Sequence, residues 1–108
     1  MRGPPSVTSA GEVQYGHLGH SVSLVCEATA VPRVLGFVWR FDGGLGSEAG
    51  SLEKNENFSI VESQQGNVMR STLVISQVEE KHFGSYSCRV RNQIGEAAIK
   101  IKLKPVGE

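Results

Sequence analysis

Cys26 and Cys88 are the only cysteines, and they stand 62 residues apart in a chain of 108 residues. Structural metal sites draw on close Cys or His pairs, and the CxxC redox motif is absent. A single disulfide closing a long loop is the direct reading. By chain entropy it contributes roughly 4 kcal/mol in an oxidising compartment. Two buried thiols in a reducing compartment are the alternative. Both cysteines sit inside segments of strict alternation. Val22, Leu24, Cys26 and Ala28 interleave with Ser21, Ser23, Val25 and Glu27. Tyr86, Cys88 and Val90 interleave with Ser85, Ser87, Arg89 and Arg91. A period of two is the mark of a strand with one buried face, so the two cysteines point into one core.

The same pattern recurs every eight to twelve residues between Gly, Asn and Ser turns, which predicts an all-β sandwich. Phe37, Trp39 and Phe41 alternate with Val38 and Arg40, and Asp42-Gly43-Gly44 closes that strand. Residues 58–61 form a short strand before a Gln64-Gln65-Gly66-Asn67 turn, and 68–75 continue with Leu73, Ile75 and Val78 inward. Asn92 to Gly95 turns the chain into Ala97, Ile99, Ile101 and Leu103, which alternate with Lys100, Lys102 and Lys104. Residues 43–57 are polar and Gly-rich, hence a long loop or a frayed edge strand. Residues 78–84 suit one helical turn. The length allows one domain, placed at 4–105; residues 1–3 read as a leader, Pro4-Pro5 as the start of an edge strand, and 106–108 as the start of a linker.

Charge and motif content exclude several functions. Eleven basic and eleven acidic side chains cancel, which gives no support to nucleic acid as a partner. No apolar run is long enough to cross a bilayer, so this stretch is not expected to insert directly into a membrane. His17, His20 and His82 are not accompanied by a nucleophile elbow such as GxSxG, and the sole aspartate, Asp42, has no histidine near it in the expected fold. No enzymatic activity, cofactor or catalytic metal is expected. His17-Leu18-Gly19-His20 reads as a solvated turn, because two imidazoles without a carboxylate make a poor metal site.

Cys26, Trp39 thirteen residues later, and Tyr86-Ser87-Cys88 together resemble the pin of the immunoglobulin superfamily. Leu73-x-Ile75-x-x-Val78 followed by Phe83-Gly84-Ser85-Tyr86-Ser87-Cys88 is similar to that family's E-to-F signature. Val90-x-Asn92-x-x-Gly95 and Trp39-Arg40-Phe41-Asp42-Gly43 resemble the F–G hairpin and C-strand end of its intermediate set (I-set). The resemblance implies a two-sheet Greek-key sandwich. It also implies a Cys26–Cys88 disulfide joining the B and F strands, Trp39 packed on the sulfurs, and a Tyr86 hydroxyl bonded to upstream backbone. His82 stands where the family commonly places Asp, so an Asp–Arg clamp onto the base of the D strand is missing. The cysteine spacing is long for the I-set, and the excess in 43–57 leaves room for an additional C′ strand.

Six of the eleven basic residues, Arg40, Arg89, Arg91, Lys100, Lys102 and Lys104, point outward on strands that the family places side by side. One reading is a solvated face whose lysines limit edge aggregation. The other is a docking face with Val38 and Ile94 as apolar contacts. Asn57-Phe58-Ser59 is an N-glycosylation sequon. What the family resemblance implies is a non-catalytic recognition module of a tandem ectodomain, in a cell-adhesion molecule or receptor. Its partners would be a protein ligand or receptor, homophilic contact included, and the neighbouring domains of its parent chain. Two rivals remain: a cytoplasmic sarcomeric or cytoskeletal module acting as spacer or filament binder, and an ectodomain that binds anionic glycans.

Overall fold

The computed structural model describes residues 2–9, 11–44, 50–52 and 57–107. Among these, nine strands form two sheets. Strands β1 (Ser6–Ser9), β3 (Val22–Thr29), β7 (Val68–Ile75) and β6 (Phe58–Gln65) make one, in the order β1-β3-β7-β6. Strands β2 (Val13–Gly16), β9 (Glu96–Pro105), β8 (Gly84–Arg91), β4 (Gly36–Gly44) and β5 (Gly50–Ser51) make the other, in the order β2-β9-β8-β4-β5. The first extended segment is therefore split: β1 pairs antiparallel with β3, and β2 crosses to pair in parallel with β9.

The alternation in the sequence sorts side chains as expected. Leu24, Cys26, Ala28, Trp39, Phe41, Leu73, Ile75, Tyr86, Cys88, Val90, Ile101 and Leu103 fill the space between the sheets. Cys26 and Cys88 form the disulfide, with Cα atoms 6.5 Å apart. Trp39 sits opposite Cys88 in the β4–β8 register and is buried. Its indole Nε1–H donates to Ser71 Oγ at 2.9 Å. Ser71 lies opposite Cys26 on β7, so its hydroxyl points into the core where the indole arrives. A tryptophan can be buried here because its one polar atom is satisfied. The Tyr86 hydroxyl donates to the His82 carbonyl at 2.6 Å, while its ring packs on Phe41 with centroids 4.9 Å apart. Burial raises the Tyr86 pKa well above its ordinary value.

Two local expectations need correction. The strand expected at 58–61 runs to Gln65, because β7 offers partners along its whole length and Gly66-Asn67 alone make the turn. Gly66 takes φ +61°, a left-handed conformation that glycine adopts without a Cβ penalty. The polar run 62–65 is compatible with a strand because β6 is an edge and its side chains are exposed. Asp42 is not in a closing turn; it lies within β4, beside a bulge between Phe41 and Gly43. The bulge explains the continuation, since Gly43 at φ +112° lets the strand pass one extra residue and resume pairing with Ser85. In the region 43–57, Gly50 and Ser51 pair with Phe41 and Arg40, a two-residue C′ strand. Residues 45–49 and 53–56 of that region lie outside the described residues, as does Met1 of the expected leader. The helical turn expected at 78–84 is a 3-10 turn over Glu80–His82.

Candidate recognition face

Strands β4, β8 and β9 present their outward residues in registered rows. Arg91 stands between Gly36 and Glu96, Arg89 between Val38 and Ala98, and Ser87 between Arg40 and Lys100. Lys102 follows opposite Ser85 and, on the other side, Val13. Arg40, Arg89, Arg91, Lys100 and Lys102 are exposed as expected, whereas Lys104 is only partly so. Val38 is 51% exposed and Ile94 48%, large apolar side chains left in water.

The face is not the uniform basic strip that alternation alone suggested. Glu96 enters it because β9 begins opposite Arg91, and its Oε2 lies 3.7 Å from Arg89 Nε. Asp42 enters it because β4 runs past the expected turn, and its Oδ1 lies 3.5 Å from Arg40 Nε and 3.4 Å from Ser87 Oγ, which donates to it. Two cations on this face are thus locally balanced. Arg91, Lys100 and Lys102 have no ion-pair partner among the described residues. Exposed pairs of this kind contribute only about 0–1 kcal/mol each, so they shape the charge pattern more than the stability.

At one end of the face the turn after β8 is held by Asn92, which is 6% exposed. Its Oδ1 accepts from the backbone N–H groups of Ile94 and Gly95, both at 3.0 Å. Its Nδ2 donates to the carbonyls of Gly3 at 2.8 Å and Pro32 at 2.9 Å. One side chain therefore fixes the turn carrying Ile94, the loop before β4 and the chain preceding Pro4. The sequence showed Asn92 only as a turn residue. The four-fold use of its amide depends on Gly3 and Pro32, 89 and 60 residues away, and no local signal reveals it.

At the other end, His82 takes over the ground left by the missing aspartate. Glu79 N–H donates to His82 Nδ1 at 2.8 Å, and the Glu79 side chain accepts from the His82 backbone, closing a capping box around the 3-10 turn. His82 Nε2 lies 3.1 Å from Asn57 Nδ2, just before β6. Asn57 also brackets Gln77, accepting from its N–H at 3.0 Å and donating to its carbonyl at 3.3 Å. A glycan on Asn57 would replace one proton of the same Nδ2, so the sequon and the bracket compete for one nitrogen. Burial pulls the His82 pKa down; Glu79 opposes this and Lys81 adds to it. His17 and His20 are exposed neighbours with ring centroids 5.4 Å apart. Among the described residues no group of three or more metal-binding side chains is assembled.

A disulfide-pinned sandwich with a Trp on the pin and a Tyr bonded back across the corner defines an immunoglobulin-like β module. The chain belongs to the immunoglobulin domain family, whose model matches residues 4–92. It is a non-catalytic domain of that family. It is 31% identical to the Irregular chiasm C-roughest protein of Drosophila melanogaster, over 96% of this chain and 13% of that protein. It is 33% identical to IgLON family member 5 of Mus musculus, over 93% of this chain and 27% of that protein. It is also 33% identical to the limbic system-associated membrane protein of Rattus norvegicus, over 85% and 24% respectively. The chain thus spans about a quarter or less of these relatives. Among solved structures, a complex of Dpr2 Ig1-Ig2 with DIP-Theta Ig1-Ig3 matches with a TM-score of 0.83 at 22% identity, covering 97% of this chain and 33% of that one. Titin domain M7 matches with a TM-score of 0.72 at 19% identity, covering 94% and 92%. These structural likenesses show the fold.

Proposed function

We propose that the domain is a protein-recognition module of the extracellular part of a cell-adhesion molecule or receptor, spanning residues 4–105. Its docking surface is the β4-β8-β9 face, with Val38, Arg40, Arg89, Arg91, Ile94, Lys100 and Lys102 in contact. The observation that carries this reading is Val38, half exposed in the row Val38–Arg89–Ala98 and flanked by the Arg40–Asp42 and Arg89–Glu96 pairs. An apolar centre within a charged rim is the composition of a non-obligate protein interface. The apolar contacts supply retention, and the charges set register and association rate. The relatives' names and the disulfide support a cell-surface setting. Neighbouring domains of the parent chain join the module at its ends. Self-association through the same face, with Arg91 meeting Glu79-Glu80 of a second copy, is part of this reading. Glycosylation at Asn57 belongs to the same setting, and peptide mapping with and without glycosidase reads it.

The test is a pairwise binding screen of the bead-displayed module against itself and a panel of immunoglobulin ectodomains. Val38→Glu and the Arg89→Glu/Arg91→Glu pair should abolish the interactions found, more strongly at low salt for the arginine pair. Ser63→Glu on β6, in the opposite sheet, should leave them intact. Loss on Ser63→Glu with retention on Val38→Glu overturns the assignment of the face. The cytoplasmic spacer reading is separated by intact mass after alkylation without reductant. An unalkylated Cys26–Cys88 pair in protein drawn from its native source supports the extracellular setting, and two alkylated thiols refute it.

A further inference from the structure

We propose that the lysine row of β9 and the groove beside it bind a sulfated glycosaminoglycan chain. Lys100 and Lys102 are shared with the proposed docking surface, but the site rests on the groove and does not depend on that reading. Lys100, Lys102 and Lys104 occupy alternate positions of one strand, which sets their Cα atoms about 6.8 Å apart along a line. Unlike Arg40 and Arg89, none of the three has an ion-pair partner among the described residues. They border an open groove of about 750 Å³ shared with Ser9, Val13 and Ser85. The groove exists because the first extended segment changes sheets. Pairing of β2 with β9 begins only at Val13↔Lys102, so β9 has no strand on that side between Glu96 and Ile101 among the described residues.

The main chain adds to the site. Lys102 N–H donates to the Glu12 carbonyl, toward β2. Alternation along a strand directs the N–H and C=O of Lys100 to the same side, where no strand among the described residues pairs with them. The groove therefore offers a row of three ammonium groups with the Ser85 hydroxyl beside them, while the Ser9 hydroxyl donates to the Gly11 carbonyl at 3.1 Å. Its shape and lining fit an extended polyanion rich in hydroxyl and sulfate groups. An acidic peptide would need a deeper apolar anchor than Val13 and Ile99 provide. Glu12 is the one acidic side chain on the rim among the described residues, and it opposes an anion there.

The experiment measures binding of the module to immobilised heparin, with hyaluronan and poly-glutamate as unsulfated and peptide polyanions. Affinity for heparin should fall steeply between about 50 and 200 mM salt, as for any contact that releases counterions. Lys100→Gln/Lys102→Gln/Lys104→Gln should weaken it at least about tenfold at the lower salt and flatten the salt dependence. Glu12→Gln should tighten it, and Val38→Glu should leave it unchanged. All these side chains are at least partly exposed, so thermal melts near that of the parent verify the variants. No heparin binding at the lower salt, binding unaffected by the triple change, or equal affinity for poly-glutamate would each overturn the proposal. Loss of protein partners on Val38→Glu with heparin binding retained shows that heparin binding does not use the Val38 row.

Discussion

Ser71→Ala tests whether the Trp39 pin is held by a hydrogen bond or by shape alone. The substitution removes one oxygen from a fully buried site and leaves Trp39 Nε1–H facing a methyl group. A buried donor without a partner costs about 1–3 kcal/mol. At roughly 4–8 °C per kcal/mol for a domain near this size, the melting temperature should fall by several degrees or more. Trp39→Phe removes the donor together with part of the ring, adding a cavity cost to the polar one. In the Trp39→Phe/Ser71→Ala double variant neither partner is left stranded, so its cost should be smaller than the sum of the singles by about 1 kcal/mol. Urea titration followed by far-ultraviolet circular dichroism measures all four proteins without relying on the tryptophan they vary. Additivity within about 0.3 kcal/mol would refute the reasoning, as would a Ser71→Ala protein as stable as the parent.

Tyr86→Phe removes the donor to the buried His82 carbonyl and should cost about 1–3 kcal/mol by urea titration, with the β-sandwich spectrum retained. Asn92→Ala strands two backbone N–H groups and two carbonyls at one end of the domain. It should destabilise by at least about 1–3 kcal/mol and speed amide exchange at Ile94 and Gly95, whereas unchanged exchange there would contradict the bracket. His82 is lowered from its ordinary 6.5, so the unfolded chain binds the proton more readily than the folded one. Stability is therefore full above that value and lost as pH falls through the lower folded one. Melting temperatures from pH 8 to 5 should show this loss, and a His82→Gln protein with the same profile would place its cause elsewhere.

The sandwich was legible because its evidence is local. Alternation around Cys26, Trp39 and Cys88 assigns each side chain to a face, and the core follows from the faces. Asp42 was misplaced, and Glu96 went unnoticed, for a different reason. A Gly-Gly pair reads as the end of a strand, but a bulge lets β4 continue through it. The partner of Arg89 then depends on the residue at which β9 begins, which is a matter of register and not of pattern. Gln64 and Gln65 looked like a turn because edge strands tolerate polar runs that buried strands do not. Ser71 escaped notice, and so did the Gly3 and Pro32 partners of Asn92, since these contacts are remote in the chain and a serine in a strand carries no mark of the indole above it. The Asn57 sequon was visible as a triplet. Its engagement with Gln77 and His82 was not, because it joins the start of β6 to residues 20 and 25 positions further along the chain.

The crossing of the first segment between sheets also decides how the domain meets tension. Force on the two chain ends passes β1, which is held on β3, and then loads the beginning of β2 and the end of β9, which run parallel and side by side over Val13↔Lys102 to Gly16↔Pro105. Opposed pulls along parallel neighbours slide one strand past the other. The hydrogen bonds between them are loaded together, where a hairpin pulled from its open end would release them one at a time. Stretched by its ends, the module should show the β2–β9 pair giving way in one rupture, distinct from any earlier release of β1 from β3, a signature that single-molecule pulling records directly.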